Sequence, residues 1–140
     1  MNRELAVVVS NDNKASITDT INAIDIAGFK NVFVQWYDKD YGIDQETQVK
    51  LCKEKGFNIE FAHLGYQKIN EIWTPNGDYF VERYKKDILD CHNLNIDMVV
   101  MHASSKWECD GPNKIGLNEY ETYTPIKYLF NKLNETICQL

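Results

Sequence analysis

An α/β fold with a parallel sheet is predicted by two features of the sequence. Short apolar runs rich in β-branched residues alternate four times with longer segments of helical periodicity. Each apolar run also ends in polar or aromatic residues before the next helical segment begins, the pattern of strands that feed crossover helices. The composition supports a folded core: 44% of the 140 residues are apolar and 26% are charged. A chain of this length is expected to form a single domain, residues 1–140.

The elements follow in order. Leu5-Ala6-Val7-Val8-Val9 is a continuous apolar strand, as expected where a parallel sheet is covered on both faces. Ser16 with Asp19 three residues later predicts a helix N-cap. Ile17, Ile21, Ile24 and Ala27 then recur at helical spacing, and Gly28 ends the helix. The second strand is Asn31 to Trp36. Its helix starts after Asp44, turns Val49 and either Cys52 or Leu51 inward, and stops at Gly56. The third strand is Asn58 to His63, and Trp73-Thr74-Pro75-Asn76-Gly77 marks a turn in the loop behind it. A third helix runs from about Asp78 to Leu94 with Phe80, Tyr84, Ile88 and Cys91 on one face. Asp97 to His102 is the fourth strand. Thr124-Pro125 opens a last helix whose stripe is Ile126, Leu129, Phe130, Leu133 and Ile137.

Charge and cysteine content exclude several functions. A net charge of −6 leaves no basic surplus for a general grip on nucleic acid or anionic lipid. The apolar run after the N-terminal Met-Asn-Arg-Glu is too short for a signal core or a membrane span. Cys52, Cys91, Cys109 and Cys138 show no paired spacing and read as reduced thiols, so a cytoplasmic location is expected. There is no Gly-x-Gly-x-x-Gly, no Walker-type loop and no Gly-x-Ser-x-Gly elbow, hence no expected nucleotide cofactor.

Ligands of parallel α/β proteins meet the carboxyl ends of the strands. The residues there are Ser10, Asn11 and Asp12 after the first strand, and Gln35, Trp36 and Tyr37 at the second. His63, Gly65 and Tyr66 follow the third strand, and His102, Ser104, Ser105, Lys106 and Trp107 the fourth. Two of the three histidines, His63 and His102, thus end successive strands. A neutral imidazole binds divalent metal or polarises a substrate oxygen, so both are candidate catalytic residues and candidate metal ligands. Two imidazoles do not complete a metal site, and Asp12 and Glu108 are the nearest carboxylates along the chain. Gln35, Trp36, Trp73 and Lys106 are candidate substrate contacts: the indoles as walls for a sugar ring, the lysine for an anionic group. Core packing is the competing role for the indoles and solvation for the lysine. His92, inside the third helix, reads as a surface residue.

At Ala6 to Ser10, Ala27-Gly28-Phe29-Lys30-Asn31-Val32, Phe61-Ala62-His63-Leu64-Gly65-Tyr66 and Met98-Val99-Val100-Met101-His102, the sequence resembles the first four strand regions of the xylose-isomerase-like TIM barrels. That superfamily includes sugar phosphate isomerases/epimerases, inositol-catabolism enzymes and nucleases of the endonuclease IV type. The likeness runs from about Leu5 to Leu117, and the histidine-ended strands are its most specific element. It implies a (βα)4 half barrel and metal-assisted isomerase or epimerase chemistry on a small keto-sugar or polyol. A divalent ion (Mn, Mg, Co or Zn) would hold sugar oxygens while acidic residues move a proton. In the nuclease branch, the positions matching His63 and His102 bind zinc. The family's remaining ligands, on strands five to eight, would fall beyond Leu140, so the isolated chain is expected to be incomplete as an enzyme. Unclosed edges would favour a homodimer. The rival readings are a non-catalytic binding protein of the same fold, an endonuclease IV-like nuclease that the charge disfavours, and a flavodoxin-like domain.

Overall fold

The computed structural model describes residues 5–10, 15–36, 44–65, 77–102 and 131–140. The elements are β1 (Ala6–Val9), α1 (Ile17–Ile26), β2 (Asn31–Gln35), α2 (Gln45–Glu54), β3 (Asn58–His63), α3 (Gly77–Asn93) and β4 (Val99–Val100). A fourth helix, α4, occupies 131–137. The strands form one sheet in the order β1-β2-β3-β4, with every pairing parallel. The chain divides into two compact units. One comprises Met1–Gly65 with Asn93–Val100, the other Tyr66–His92 with Met101–Leu140.

Local chemistry explains the boundaries in the first unit. The Ser16 hydroxyl accepts from the Asp19 N–H, and the Asp19 carboxylate accepts from the same hydroxyl at 2.7 Å, so the first turn of α1 is capped as expected. Asp44 caps α2 in the same way through the Glu46 N–H. Gly28 and Gly56 close the two helices at φ +85° and +73°. A side chain would meet no atom at either place, so the left-handed backbone alone calls for glycine there. Asn95, at φ 55°, makes the corresponding turn after α3.

α1 lies against β1 and α2, and α2 lies against β3. Ile21 and Ile24 of α1 and Val49 and Cys52 of α2 are buried, whereas Leu51 is half-buried and Ala27 exposed. One face of the sheet is sealed: Val9, Val32, Val34, Ala62 and Leu64 are all 0% exposed. The other face is not. Val8, Phe33, Phe61 and His63 are half-buried, and Val100 is 38% exposed. The expectation of strands covered on both faces is therefore corrected. The phenyl rings of Phe33 and Phe61 stack on each other at 4.7 Å and supply the apolar contact on this second face.

β4 departs from its expected span, and β3, which has its expected span, carries an irregularity. β4 was expected over Asp97 to His102 but spans Val99–Val100, and Met98 is exposed. Its pairing nevertheless extends outward through the Met98 and Val100 carbonyls, which accept from the Ala62 and Leu64 N–H groups. β3 carries an irregularity: Val32 pairs with Ile59 but Phe33 pairs with Phe61, leaving Glu60 as the extra residue. Ile59 and Phe61, two residues apart, thereby face opposite sides of the sheet.

In the second unit, α3 buries Phe80, Val81, Tyr84, Ile88 and Cys91, which includes the whole stripe expected for it. The Arg83 guanidinium stands over the Phe80 ring at 5.0 Å. In α4, Leu133 is buried, but Ile137, expected on the same stripe, is 51% exposed because it stands in the last turn. The start of that stripe, Thr124 to Phe130, lies outside the described residues. Among the described residues, no helix is long and apolar enough to cross a membrane.

Cys52, Cys91 and Cys138 are free thiols; Cys109 lies outside the described residues. Burial pushes the Cys52 thiol up to about 11 and the Cys91 thiol up to about 12, the latter with help from Asp87 and Asp90. Neither is a thiolate near neutral pH. A thiol-specific reagent at pH 8 is accordingly expected to label exposed Cys138 quickly and to reach Cys52 and Cys91 only at the rate of global opening. Mass mapping of the modified peptides with and without urea checks this.

Candidate functional site

The candidate site is at the carboxyl ends of β2 and β3. The Trp36 N–H donates to the His63 carbonyl at 2.8 Å, so the two strands remain joined to their last residues. The register sets Gln35 directly opposite His63. Without the extra residue at Glu60, residue counting would set Gln35 opposite Ala62, with His63 on neither the same level nor the same face. The bulge thus brings these two side chains together on the half-open face. The Gln35 side-chain nitrogen lies 3.1 Å from His63 Nδ1, and both residues are half-buried. At the opposite end of the same strands, Asn58 Nδ2 donates to Asn31 Oδ1 and closes the pair there.

Gln48 is a further residue at this end that the sequence did not single out. From the first turns of α2 it donates its side-chain N–H to the Val9 carbonyl, the last of β1, at 2.8 Å. Its Oε1 is buried and has no hydrogen-bond partner among the described residues. The one signal in the sequence is position: Gln48 stands four residues before Cys52 on the inward stripe.

The other candidates are distributed as follows. Trp36 is 4% exposed and follows the Val32 and Val34 side of its strand, so its indole stands with the core and not with the rim. His102 belongs to the second unit, where its carbonyl accepts from the Tyr84 hydroxyl at 3.2 Å; it is half-buried. His92, on α3, is exposed. Trp73, Lys106, Asp12 and Glu108 lie outside the described residues.

The electrostatics of the rim are mild. Gln35 is a neutral amide, Ser10 a hydroxyl and His63 an imidazole; the described rim of β1, β2 and β3 carries no carboxylate, lysine or arginine. Among the described residues, no three His, Cys, Asp or Glu side chains gather to hold a metal ion. The buried Cys52 and Cys91 thiols are too weakly acidic to act as nucleophiles. What the pair can do is exchange hydrogen bonds with uncharged oxygen groups. Compared with protein-family models, with curated proteins and with solved structures, the chain finds no match in any of the three.

Proposed function

We propose that this chain is a small-molecule-binding protein built like half of a sugar isomerase/epimerase barrel, with a small keto-sugar or polyol held at the carboxyl ends of β2 and β3. The observation that carries the reading is the Gln35–His63 pair, at the ligand-binding end of two adjacent parallel strands and on the less covered face. The strand order supports the half-barrel part. Each crossover advances one strand in one direction, the order of successive barrel strands. A flavodoxin-like sheet would instead reverse its order. Among the described residues β1 and β4 are the edge strands, and exposed Leu5, Met98 and Val100 on or beside them favour closure by a second copy in a homodimer.

Proton transfer next to a carbonyl requires a base as well as an electrophile. The described rim offers His63 as the electrophile and no carboxylate as the base, which favours binding over turnover. Among the described residues no trio of ligands stands beside His63, and its Nδ1 faces an amide nitrogen, so the described donors do not by themselves hold a divalent ion of the kind the family resemblance implies. The nuclease alternative has no support in a chain of net charge −6.

Titration with a keto-pentose and a pentitol, followed by calorimetry and by the imidazole NMR signals of His63, tests the reading. Saturable binding is expected, weaker by roughly tenfold in His63→Leu, the equivalent of one lost hydrogen bond. The same titration on His102→Gln asks whether the second imidazole contributes. No saturation by either probe would overturn the proposal, and saturable Mn²⁺ binding would restore the metal-assisted version.

A further inference from the structure

We infer that a single internal water molecule is bound at the carboxyl end of β1, where it donates a hydrogen bond to the buried side-chain oxygen of Gln48. This site is separate from the Gln35–His63 pair and requires no ligand there.

The orientation of the Gln48 amide is fixed by its partner. A carbonyl oxygen only accepts, so the group that lies 2.8 Å from the Val9 carbonyl is the amide N–H. Exchanging the two ends of the amide would set oxygen against oxygen. Oε1 is therefore the atom that needs a further partner. Gln48 is 1% exposed, so bulk water does not reach it. No described residue donates to it. A buried acceptor in that state bears the full loss of its hydration, and ordered water is what relieves such groups in native proteins where no side chain does.

Size and chemistry select the occupant. It must donate a hydrogen bond, and it must fit where almost no surface is accessible, which excludes an anion and a sugar alike. An internal water makes about two to four hydrogen bonds, and the first of them is to Oε1. A second acceptor is close by. Oε1 and the Val9 oxygen are joined through one amide group and one hydrogen bond, so they stand at most about 5 Å apart. One water spans such a distance by giving a hydrogen to each oxygen, and a carbonyl has a second lone pair to receive it. The water thereby joins the last residue of β1 to the first turns of α2 and steadies the backbone that leads into Ser10.

Magnetic relaxation dispersion of ¹⁷O in water counts long-lived internal waters and is blind to exchanging hydroxyl hydrogens. The comparison is between wild type and Q48M, whose thioether is a weak acceptor and no donor. A chain of 140 residues holds about five internal waters, so the amplitude should fall by roughly a fifth in Q48M. In the wild type, the ¹⁵N-labelled Gln48 side-chain amide, assigned through its backbone connectivities, should show a cross-peak to water. That cross-peak should persist in T47V, since the Thr47 hydroxyl one residue away could imitate it by exchange. An unchanged dispersion amplitude in folded Q48M would overturn the inference. A Gln48 amide with no water cross-peak, or with one that vanishes in T47V, would overturn it too, whether or not Q48M folds.

Discussion

Gln48→Glu is expected to destabilise the protein by about 3–5 kcal/mol at pH 7, the usual range for an uncompensated buried charge. Gln48 is 1% exposed, and its N–H donates to the Val9 carbonyl at 2.8 Å. Glutamate would set one carboxylate oxygen against that carbonyl, and the other where Oε1 lacks a donor among the described residues. The protonated acid, by contrast, can donate its O–H to Val9. The folded state therefore holds the carboxyl proton to a higher pH than the unfolded chain, whose glutamate titrates near about 4.3. Above that pH the native state binds more protons than the unfolded state, so stability falls as pH rises and levels off beyond the folded-state pKa. Gln48→Met should lose only about 1–2 kcal/mol, for the orphaned Val9 carbonyl, with no added pH dependence. Urea unfolding of the three proteins at pH 4 and pH 8 checks both statements. A flat profile for Gln48→Glu, within about 1 kcal/mol of wild type, would mean that the carboxylate reaches water.

That residue also marks the limit of what the sequence reveals. Helix limits were legible because single side chains cause them: Ser16 and Asp44 cap, while Gly28 and Gly56 release the chain into a left-handed turn. β3 was legible over its whole length, and so was the buried stripe of α3 from Phe80 to Cys91, because burial imposes a period that composition preserves. The phase of β3 was not. Asn58-Ile59-Glu60-Phe61-Ala62-His63 alternates well enough to pass for an uninterrupted strand, yet the bulge at Glu60 reverses the faces of everything after it. Only the partner strand determines that, and no local signal in β3 records its register. The candidate site depends on this one residue, since Gln35 meets His63 through it. Trp36 shows the same limit from the other side: an aromatic at a strand end serves a rim or a core equally well by sequence, and the pleat assigned it to the core.

The half-open face raises a separate physical point. Phe33 and Phe61 stack there in the middle of the sheet, while the polar pair Gln35 and His63 occupies its carboxyl end. Apolar support beneath and hydrogen-bonding groups above is the arrangement that binds small polar molecules with fixed orientation. It also explains why β2 and β3 carry this face: their pairing is the longest in the sheet, whereas β4 contributes two residues.

In the second unit, Tyr84→Ala should lower stability by about 3–5 kcal/mol, the range for truncating a large buried aromatic. Tyr84 is 0% exposed and is the largest fully buried side chain among the described residues. Truncation removes its packing, its contact with the Arg83 guanidinium at 5.2 Å and its hydrogen bond to His102. For a chain of this size the melting temperature should fall by roughly 10–20 °C. Tyr84→Phe separates the terms: it keeps the ring and loses the hydroxyl with its bond to the His102 carbonyl, at about 1 kcal/mol. Pentitol affinity in Tyr84→Phe should follow wild type while the melting temperature drops by a few degrees. Thermal unfolding and a pentitol titration on the same samples check this. A loss below about 1 kcal/mol in Tyr84→Ala would contradict the burial of the ring itself.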